Sequence, residues 1–486
     1  MIVDFSFSYA TLGIVILNTI AMTYMIFKEH HRKPESLVSW LLVFAFLPVV
    51  GFVIYVFFGS GLSLKNRRML KRKKFYNSIQ QNYYRGFVNH FDDVESKFVK
   101  KLLRFNIKNA QAVPTFDNKI TYFNSGKDKL KSLLRDIKNA KHSINIEYYI
   151  FGDDWVGKEV MNALCERAQA GVKVKLIYDS VGCLRTQRRF FRKLKKAGGE
   201  VKEFFPPLFY IRLINLKMNY RNHRKIVVID GKIGYVGGVN LRKDHMGEVK
   251  KVAPWRDAHI KIRGQAVHLL QNEFLNFWQF CNKKTKETQE FADEGYFPKI
   301  VGRGNSIVQV LTSGPEEVKK KEIKEAMVKM ISTAEREIII QTPYFVPDDV
   351  FLSALKTAVA SGVRVRIMLP AKPDKRVVYK TSIFYAREMA EAGAEIYLFD
   401  GFVHAKNLIV DGLAMCTGTT NIDYRSFNLN FEISTIIYDK EFIDNVVKLF
   451  EKDVESSSIV EVEDFKHRSA FDKLQQVFFR LFSPLM

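Results

Sequence analysis

The sequence predicts an α/β protein made of two tandem repeats, each a mixed β-sheet flanked by helices, with an active site at their interface and two transmembrane helices before them. Three observations predict this architecture: a histidine motif that occurs twice, a wider internal repeat around it, and two long uncharged segments near the N-terminus. The predicted boundaries are a transmembrane hairpin at 1–62, a basic juxtamembrane linker at 63–110, the repeats at 111–290 and 291–460, and an amphipathic tail at 461–486.

The repeated motif is H-x-K-x4-D, and an asparagine follows ten residues after the aspartate of each copy. Its members are the candidate catalytic residues His223, Lys225, Asp230, His404, Lys406 and Asp411, with Asn240 and Asn421 as candidate phosphate-binding residues. One such motif is expected by chance only about a few hundredths of a time in a chain of this length. Two copies therefore indicate that one site is assembled from two halves of the chain.

The residue types of the motif suit phosphodiester chemistry. Each copy runs into an apolar strand, and alternate residues of a strand point to the same side, so the histidine and the lysine of one motif project together. Two histidines and two lysines that face each other form a cationic pocket. One neutral histidine can attack phosphorus while the other, protonated, donates to the leaving oxygen, and the lysines neutralise charge in the transition state.

The similarity between the halves extends beyond the motif. Residues 141–149 resemble 336–344, residues 170–177 resemble 361–368, and residues 196–201 resemble 391–396. Helical patterns precede these strand-like segments in both halves. Alternating strand and helix signals predict two similar α/β units.

Two uncharged segments, 5–27 and 36–64, contain 23 and 29 residues. Each exceeds the roughly 20 residues that cross a bilayer as a helix. Seven basic residues follow the second segment within about ten positions, against three in the loop between the segments, which predicts a multi-pass cell-membrane protein with a cytoplasmic catalytic portion. The net charge of +24 indicates a polyanionic partner, and the two segments favour an anionic phospholipid membrane over nucleic acid.

The two motifs and the repeat resemble the phospholipase D superfamily. Residues 40–59, residues 421–432 and the C-terminal Ser483-Pro484-Leu485-Met486 are similar to stretches of bacterial cardiolipin synthases. The resemblance implies two phospholipase D-like repeats that transfer a phosphatidyl group between two phosphatidylglycerol molecules and release glycerol. Because Lys225 and Lys406 supply the positive charge that offsets the phosphate, no cofactor or metal is expected. The resemblance further implies that His223 forms the phosphatidyl-histidine intermediate and that His404 is the general acid and then the base.

The resemblance also implies an acid behind each histidine. Glu432, twenty-one residues after Asp411, fits that place, whereas the same offset in the first half reaches Lys251 and leaves Asp257 as the candidate. Thr419 lies two residues before its asparagine and is a candidate phosphate-binding residue, but the first half has Gly238 there. Asp230 and Asp411 are expected to tie down their own loops rather than contact substrate.

Two segments near the first motif differ from the second half. Twenty-five residues separate Gly198 from His223, but 11 separate Gly393 from His404, so the first repeat carries a 14-residue insertion within 204–217. This aromatic and basic segment is compatible with a membrane interface and equally with an ordinary surface loop. Just upstream, residues 185–196 predict a basic helix whose charged face is solvated and also touches lipid phosphates.

Three other functions fit parts of the sequence. A phospholipase D or nuclease would use water as the acceptor, and the uncharged segments disfavour a nuclease. A non-catalytic membrane scaffold is disfavoured because both motifs are complete. Lysines among the ligands disfavour a metallohydrolase, and the four dispersed cysteines predict neither a disulfide framework nor a zinc site. The oligomeric state is left open.

Overall fold

The computed structural model describes residues 9–28, 34–55, 59, 62, 66, 83, 91–92, 94–207, 219–282, 295–300, 302, 304–316 and 320–460. The charged segment 67–74 of the predicted linker, most of the insertion before the first motif and the whole predicted C-terminal tail lie outside these residues.

Most strands of the described residues belong to one mixed sheet of fifteen strands that runs through both repeats, in the order β19-β13-β12-β10-β15-β16-β18-β9-β1-β8-β6-β5-β2-β3-β4. The strands of the first repeat are β1 (Pro114–Phe123), β2 (Ser143–Tyr148), β3 (Lys173–Asp179), β4 (Glu200–Phe204), β5 (Lys225–Ile229), β6 (Ile233–Gly237), β7 (Trp255–Arg256) and β8 (His259–Arg263). Those of the second are β9 (Ser306–Ser313), β10 (Glu337–Gln341), β11 (Phe345–Val346), β12 (Arg364–Pro370), β13 (Glu395–Phe399), β14 (Phe402–Val403), β15 (Asn407–Val410), β16 (Ala414–Gly418), β17 (Ile422–Asp423), β18 (Glu432–Tyr438) and β19 (Ser457–Ile459).

The two repeats have the same strand order about the pairing of β1 with β9. Outward from this antiparallel pair, the series β8-β6-β5-β2-β3-β4 on one side matches β18-β16-β15-β10-β12-β13 on the other. In each series the three outermost of these strands are parallel to one another and the others pair antiparallel. The predicted tandem α/β units, each with a mixed sheet, are therefore confirmed.

Thirteen α-helices lie within the described residues. They are α1 (Tyr9–Lys28), α2 (Pro34–Phe46), α3 (Pro48–Ile54), α4 (Lys97–Ala110), α5 (Gly126–Lys138), α6 (Trp155–Gln169), α7 (Arg188–Lys196), α8 (Ala266–Asn282), α9 (Glu322–Ser332), α10 (Asp349–Ala360), α11 (Arg376–Glu391), α12 (Tyr424–Asn428) and α13 (Lys440–Glu455). Side-chain caps begin equivalent helices in the two repeats: Asp154 accepts from backbone N–H groups at the start of α6, and Asp348 does so at the start of α10.

Helix α4 lies in the segment predicted as a basic linker, but it packs on the second repeat. Its buried face, with Val99, Leu102 and Leu103, belongs to the same apolar cluster as Ile323 and Met327 of α9. The spacing of its apolar residues puts them on one helical face, and its basic residues cover the other. The end of the predicted linker is thus part of the core of the second repeat.

The prediction of two transmembrane helices is contradicted. In the part of the chain that the structure describes, no helix combines the length and the apolar character needed to cross a bilayer. The second uncharged segment is divided at Leu47, whose non-helical backbone (φ −133°, ψ 68°) precedes Pro48, so it forms helices of 13 and 7 residues instead of one of about 20. In α1, Asn18, Thr19 and Thr23 interrupt the apolar sequence.

The start of the insertion before the first motif is buried. Phe204 and Phe205 pack with Phe277 of α8 and with Phe431 of the second repeat in one aromatic cluster. These two side chains therefore join the repeats, and the remainder of the insertion, 208–217, lies outside the described residues.

Candidate active site

The two motifs occupy equivalent places in the sheet. Lys225 begins β5 and Lys406 immediately precedes β15, and both of these strands are wholly buried between two neighbours. The ammonium group of Lys225 donates to the carbonyl oxygen of His223 at 2.6 Å, and Lys406 donates to the carbonyl oxygen of His404 in the same way. The same local geometry thus places a histidine and a lysine together in each repeat.

A short parallel strand pairing places each histidine next to the other repeat. The backbone N–H of His223 donates to the carbonyl oxygen of Phe431 at 3.0 Å, and the residue after Phe431 is Glu432. In the mirrored pairing, of β14 with β7, the N–H of His404 donates to the carbonyl oxygen of Arg256 at 2.6 Å, next to Asp257. Each pairing sets a histidine of one repeat beside a carboxylate of the other.

The acids behind the histidines are therefore exchanged between the repeats. His223 Nδ1 lies 3.0 Å from both carboxylate oxygens of Glu432, and His404 Nδ1 lies 2.8 Å from Asp257 Oδ2. Because each Nδ1 faces a carboxylate, each imidazole has its Nε2 left for a substrate. The sequence offset identified Glu432, and Asp257 was the candidate where that offset failed, but neither argument could identify the exchange.

Different groups hold the two carboxylates. Glu432 accepts hydrogen bonds from the hydroxyl of Thr419 and, at 3.2 Å, from the amide of Asn430. Thr419 therefore orients the acid and does not offer its hydroxyl proton to a phosphate. At the equivalent place in the first repeat, an added Cβ on Gly238 would lie 2.1 Å from Asp257 Oδ1, so glycine is required for the close approach of this carboxylate.

Asp257 has two donors that the sequence did not identify. His245 Nδ1 lies 3.2 Å and Trp255 Nε1 3.3 Å from Asp257 Oδ2, the oxygen that also faces His404. The rings of His245 and His404 meet edge to face with centroids 4.8 Å apart. Repetition could not reveal His245, because Ser426 lies at the same distance after the asparagine in the second half.

The two asparagines of the motifs differ. The amide group of Asn240 lies 3.1 Å from His245 Nε2, and its oxygen accepts from the backbone N–H of Ile150, so in this structure it supports His245. Asn421 is buried, and its side-chain oxygen has no hydrogen-bond partner among the described residues. Of the two motif asparagines, Asn421 is thus the one whose side-chain oxygen has no partner among the described residues.

The aspartates of the motifs hold backbone turns. Asp230 accepts from the backbone N–H groups of residues 141–143, and Asp411 accepts from those of residues 335–337. Both have positive φ angles, 51° and 55°, and a glycine follows each. Each aspartate therefore ties the turn after its motif strand to the start of the neighbouring strand, and neither contacts the histidines.

Burial and the lysines control the charge of the pocket. Burial lowers the pKa of His223, Lys225 and Lys406 lower it further, and Glu432 opposes them. For His404, burial and then Lys406 hold the pKa well below its usual value. Both imidazoles are therefore neutral at pH 7 in the empty site. Lys406 also lowers the pKa of His223 and of Lys225 in the other motif, which means that the two motifs share one pocket.

Burial destabilises the charged form of both lysines. Burial lowers the pKa of Lys225 to about 7 and that of Lys406 to about 8. The pKa of Glu432 is lowered even though burial alone would raise it, because His223 and Lys225 stabilise its charge. An anionic phosphodiester between the motifs would keep both ammonium groups charged.

One group of described side chains could offer ligand atoms to a metal ion. Atoms of His245, Asp257 and His404 lie within 4.8 Å of one another. Both imidazoles, however, direct Nδ1 to the same carboxylate oxygen at hydrogen-bonding distance, and the nearby Lys406 disfavours a further cation. The donor set suits an oriented histidine better than a metal centre, and the absence of a catalytic metal stays a prediction.

Comparisons with known proteins agree with this geometry. The family described as "Cardiolipin synthase, PLD-like domain" matches residues 133–278 and 327–454, and "Phospholipase_D-nuclease N-terminal" matches residues 16–60. The chain is 38% identical over 487 residues to a cardiolipin synthase of Listeria monocytogenes, with 99% of each chain covered. It is 39% identical to the major cardiolipin synthase ClsA of Bacillus subtilis, with 97% of this chain and 98% of that protein covered.

A solved structure shows the same fold at low sequence identity. The phosphatidylserine synthase of Haemophilus influenzae superposes with a TM-score of 0.60 at 15% identity, over 79% of this chain and 99% of that one. The relatives are similar over nearly the whole chain, and the family match includes both repeats. The chain therefore belongs to the cardiolipin synthase family of the phospholipase D superfamily and is a phosphatidyltransferase.

Proposed function

We propose that the chain transfers the phosphatidyl group of one phosphatidylglycerol to a hydroxyl of a second, forming cardiolipin and glycerol through a covalent intermediate on His223. The observation that carries the proposal is the pair of imidazoles, each oriented through Nδ1 by a carboxylate of the other repeat and each beside a buried lysine. Phosphodiester exchange requires a nucleophile, a separate proton donor and positive charge next to the phosphate.

The reaction proceeds in two displacements. In the first, Nε2 of neutral His223 bonds to phosphorus, the bond from phosphorus to the headgroup glycerol breaks, and His404 gives its proton to the departing oxygen. In the second, a hydroxyl of another phosphatidylglycerol loses its proton to His404 and attacks phosphorus, and the bond to His223 breaks. Lys225 and Lys406 neutralise the non-bridging oxygens in both transition states.

The difference between the carboxylates supports this assignment of roles. Glu432 is hydrogen-bonded by one imidazole and two neutral groups, whereas Asp257 shares one oxygen among His404, His245 and Trp255. An oxygen shared by three donors, as Asp257 Oδ2 is, stabilises a protonated imidazole less than one shared by two, as each oxygen of Glu432 is. His404 is therefore the stronger acid, which suits protonation of a leaving alkoxide, and His223 is the more basic nucleophile.

The phosphate of the substrate also explains how a neutral His404 becomes an acid. Burial and Lys406 lower its pKa in the empty site, but a bound anion offsets the charge of the lysines. Substrate binding therefore raises the pKa of His404 and draws in the proton that the leaving group needs. Once His404 has given this proton to the departing oxygen, it is neutral again, which is the state that it needs as the base of the second displacement.

The physical setting of this reaction is an anionic phospholipid membrane. We propose that the catalytic domain works at the membrane surface without nucleic acid as a partner, since its substrate is a lipid and the chain carries a net charge of +24. The cytoplasmic position of the catalytic domain stays a prediction, because it was derived from two membrane spans.

Product analysis tests the proposed reaction. Purified protein is incubated with phosphatidylglycerol whose headgroup glycerol carries an isotopic label, and the products are read by mass spectrometry. Cardiolipin and free labelled glycerol in equal amounts are expected. Phosphatidic acid as the main product would instead establish hydrolysis, and a cardiolipin that forms only when another phospholipid is added would replace the proposed donor.

A further inference from the structure

Helix α7, outside the catalytic pocket, has a cationic exposed face. Its side chains Phe190, Phe191 and Leu194 are buried in the core of the first repeat. The exposed residues of the helix are Arg189, Arg192, Lys193, Lys195 and Lys196. The buried face explains why this sequence folds as a helix, but it does not explain the density of charge on the other face.

The cationic face borders a surface cavity of about 550 Å³ between α7 and the start of α6. The residues that line it are Asp153, Lys158, Gln187, Arg189, Phe190, Arg192, Lys193 and Lys196. Five positive charges thus surround the cavity against one negative charge, and an aromatic side chain contributes to its wall. This combination suits an anionic group that is attached to an apolar molecule.

The cations of the cavity have no ionic partner within the described part of the protein. By contrast, Arg188 on the same helix pairs with Glu203 at 3.2 Å. Arg189 and Lys193 are four residues apart, as are Arg192 and Lys196, and like charges at this spacing repel across one turn. A bound anion would remove this repulsion.

The rim of the cavity is joined to the half-site of His404. Gly152, next to Asp153, donates its backbone N–H to the carbonyl oxygen of Leu241, which follows Asn240. Trp155, the first residue of α6, is 38% exposed, and its indole N–H donates to Glu248 at 2.8 Å. An exposed indole is a side chain typical of membrane interfaces.

We propose that this basic cavity binds the phosphate headgroup of an anionic phospholipid in the bilayer and so holds the catalytic domain against the surface that contains its substrate. The lipid bound there is a docking ligand and is not consumed. The proposal rests on the proposed function in that the domain acts at a membrane. It commits to a lipid headgroup because Trp155 and Phe190 accompany the charges, which free phosphate or nucleic acid does not require.

Lysine footprinting tests the proposal without any turnover. Full-chain protein with His223→Ala is treated with an amine-acetylating reagent, alone or with vesicles of phosphatidylglycerol and phosphatidylcholine, with vesicles of phosphatidylcholine alone, or with soluble glycerol phosphate. Acetylation of each lysine is then measured by mass spectrometry. Lys448 and Lys452 on α13 are internal controls, since they are exposed but share their helix with several acidic residues.

The anionic vesicles should slow acetylation of Lys158, Lys193 and Lys196 by about fivefold or more, and leave the two control lysines within about twofold. Phosphatidylcholine and glycerol phosphate should leave all five unchanged. Equal protection by glycerol phosphate would show a free-phosphate site, and equal protection by phosphatidylcholine would show a non-electrostatic contact. Either result, or no protection, overturns the proposal. None of these outcomes depends on whether the chain makes cardiolipin.

A pair of variants adds a functional readout. Arg192→Gln with Lys193→Gln should raise the KM for phosphatidylglycerol vesicles about tenfold and leave kcat unchanged, because it removes two charges at the membrane surface. The matched control, Lys448→Gln with Lys452→Gln, should leave KM within about twofold. An equal rise in KM for both double variants would mean that general surface charge, and not this cavity, attracts the membrane.

Discussion

The half-sites around His223 and His404 have the same backbone but different chemical surroundings. In both, a short parallel pairing brings in a carboxylate of the other repeat, and the residue two positions before that carboxylate donates to it: Asn430 for Glu432 and Trp255 for Asp257. Apart from these shared contacts, the hydroxyl of Thr419 donates to Glu432, whereas the imidazole of His245 contacts Asp257. Duplication thus explains the geometry, and later divergence explains how two identical histidines can take different roles.

The largest expected effect comes from the carboxylates. Glu432→Gln and Asp257→Asn should each lower kcat about 10²–10⁴-fold, because an amide no longer fixes the tautomer or stabilises the imidazolium. A substrate with a better leaving group distinguishes the two half-sites. With phosphatidyl-p-nitrophenol, which needs no general acid, Asp257→Asn should regain rapid release of p-nitrophenol, whereas Glu432→Gln should remain slow. Equal rescue of both variants would contradict separate roles for the half-sites.

A pH effect of intermediate size follows from the buried lysines. Burial lowers the pKa of Lys225 to about 7 and that of Lys406 to about 8, so each is charged below its pKa and neutral above it. The value of kcat/KM, which reports free enzyme, should therefore fall as the pH rises through about 7 to 8.

The variant Lys225→Arg provides the control for this pH effect, because arginine stays charged throughout the range. The variant should have lower activity at every pH, but its kcat/KM should fall less steeply as the pH rises. An alkaline limb near pH 10 in the unaltered protein, where an exposed lysine titrates, would show that the two ammonium groups are not destabilised in the pocket.

His245 is the feature that most separates the half-sites. His245→Phe should lower kcat about tenfold and move the His404-dependent limb of its pH profile upward, since Asp257 then interacts with His404 more strongly. His245→Asn keeps a donor to Asp257 and should restore part of the rate. The matched control is Ser426→Ala in the other repeat, whose hydroxyl has no partner among the described residues. It should retain activity within about twofold.

A merely structural role for His245 would give a different pattern. The melting temperature of His245→Phe would fall and its kcat would fall too, but the pH profile would keep its position. The shift of the profile is therefore the decisive readout for this residue.

The smallest expected effect is that of chelation. Lys225 and Lys406 supply the positive charge that stabilises the phosphate, so activity should survive excess EDTA with less than about a twofold change. Complete loss of activity that one particular divalent metal restores would assign a metal to His245, Asp257 and His404, and would remove His404 from its role as acid.

Repetition made much of this molecule predictable from its sequence. The tandem sheets follow from matching strand and helix patterns. The H-x-K spacing correctly predicts that Lys225 lies close to His223, although His223 precedes β5 and does not alternate with Lys225 along that strand. The exchange of Glu432 and Asp257 between repeats depends on tertiary pairing, which no offset within one repeat encodes. His245 could not be identified from the sequence, because a comparison of the two halves reveals only residues that both halves contain.

The error over the membrane spans has a local cause. A count of uncharged residues treats 36–64 as continuous, but it ignores the backbone restriction that Pro48 places on Leu47. The buried position of Phe205 likewise could not be foreseen, because its aromatic neighbours come from α8 and from the second repeat.

The central claim, that His223 is the nucleophile and His404 the acid, is tested most directly by locating the covalent intermediate. His404→Ala and His223→Ala are mixed with phosphatidyl-p-nitrophenol, quenched, and digested for peptide mass spectrometry. The account predicts a burst of p-nitrophenol and a phosphatidyl group on His223 in the His404→Ala protein, and neither in the His223→Ala protein. An adduct on His404 in the His223→Ala protein would contradict it and reverse the two roles.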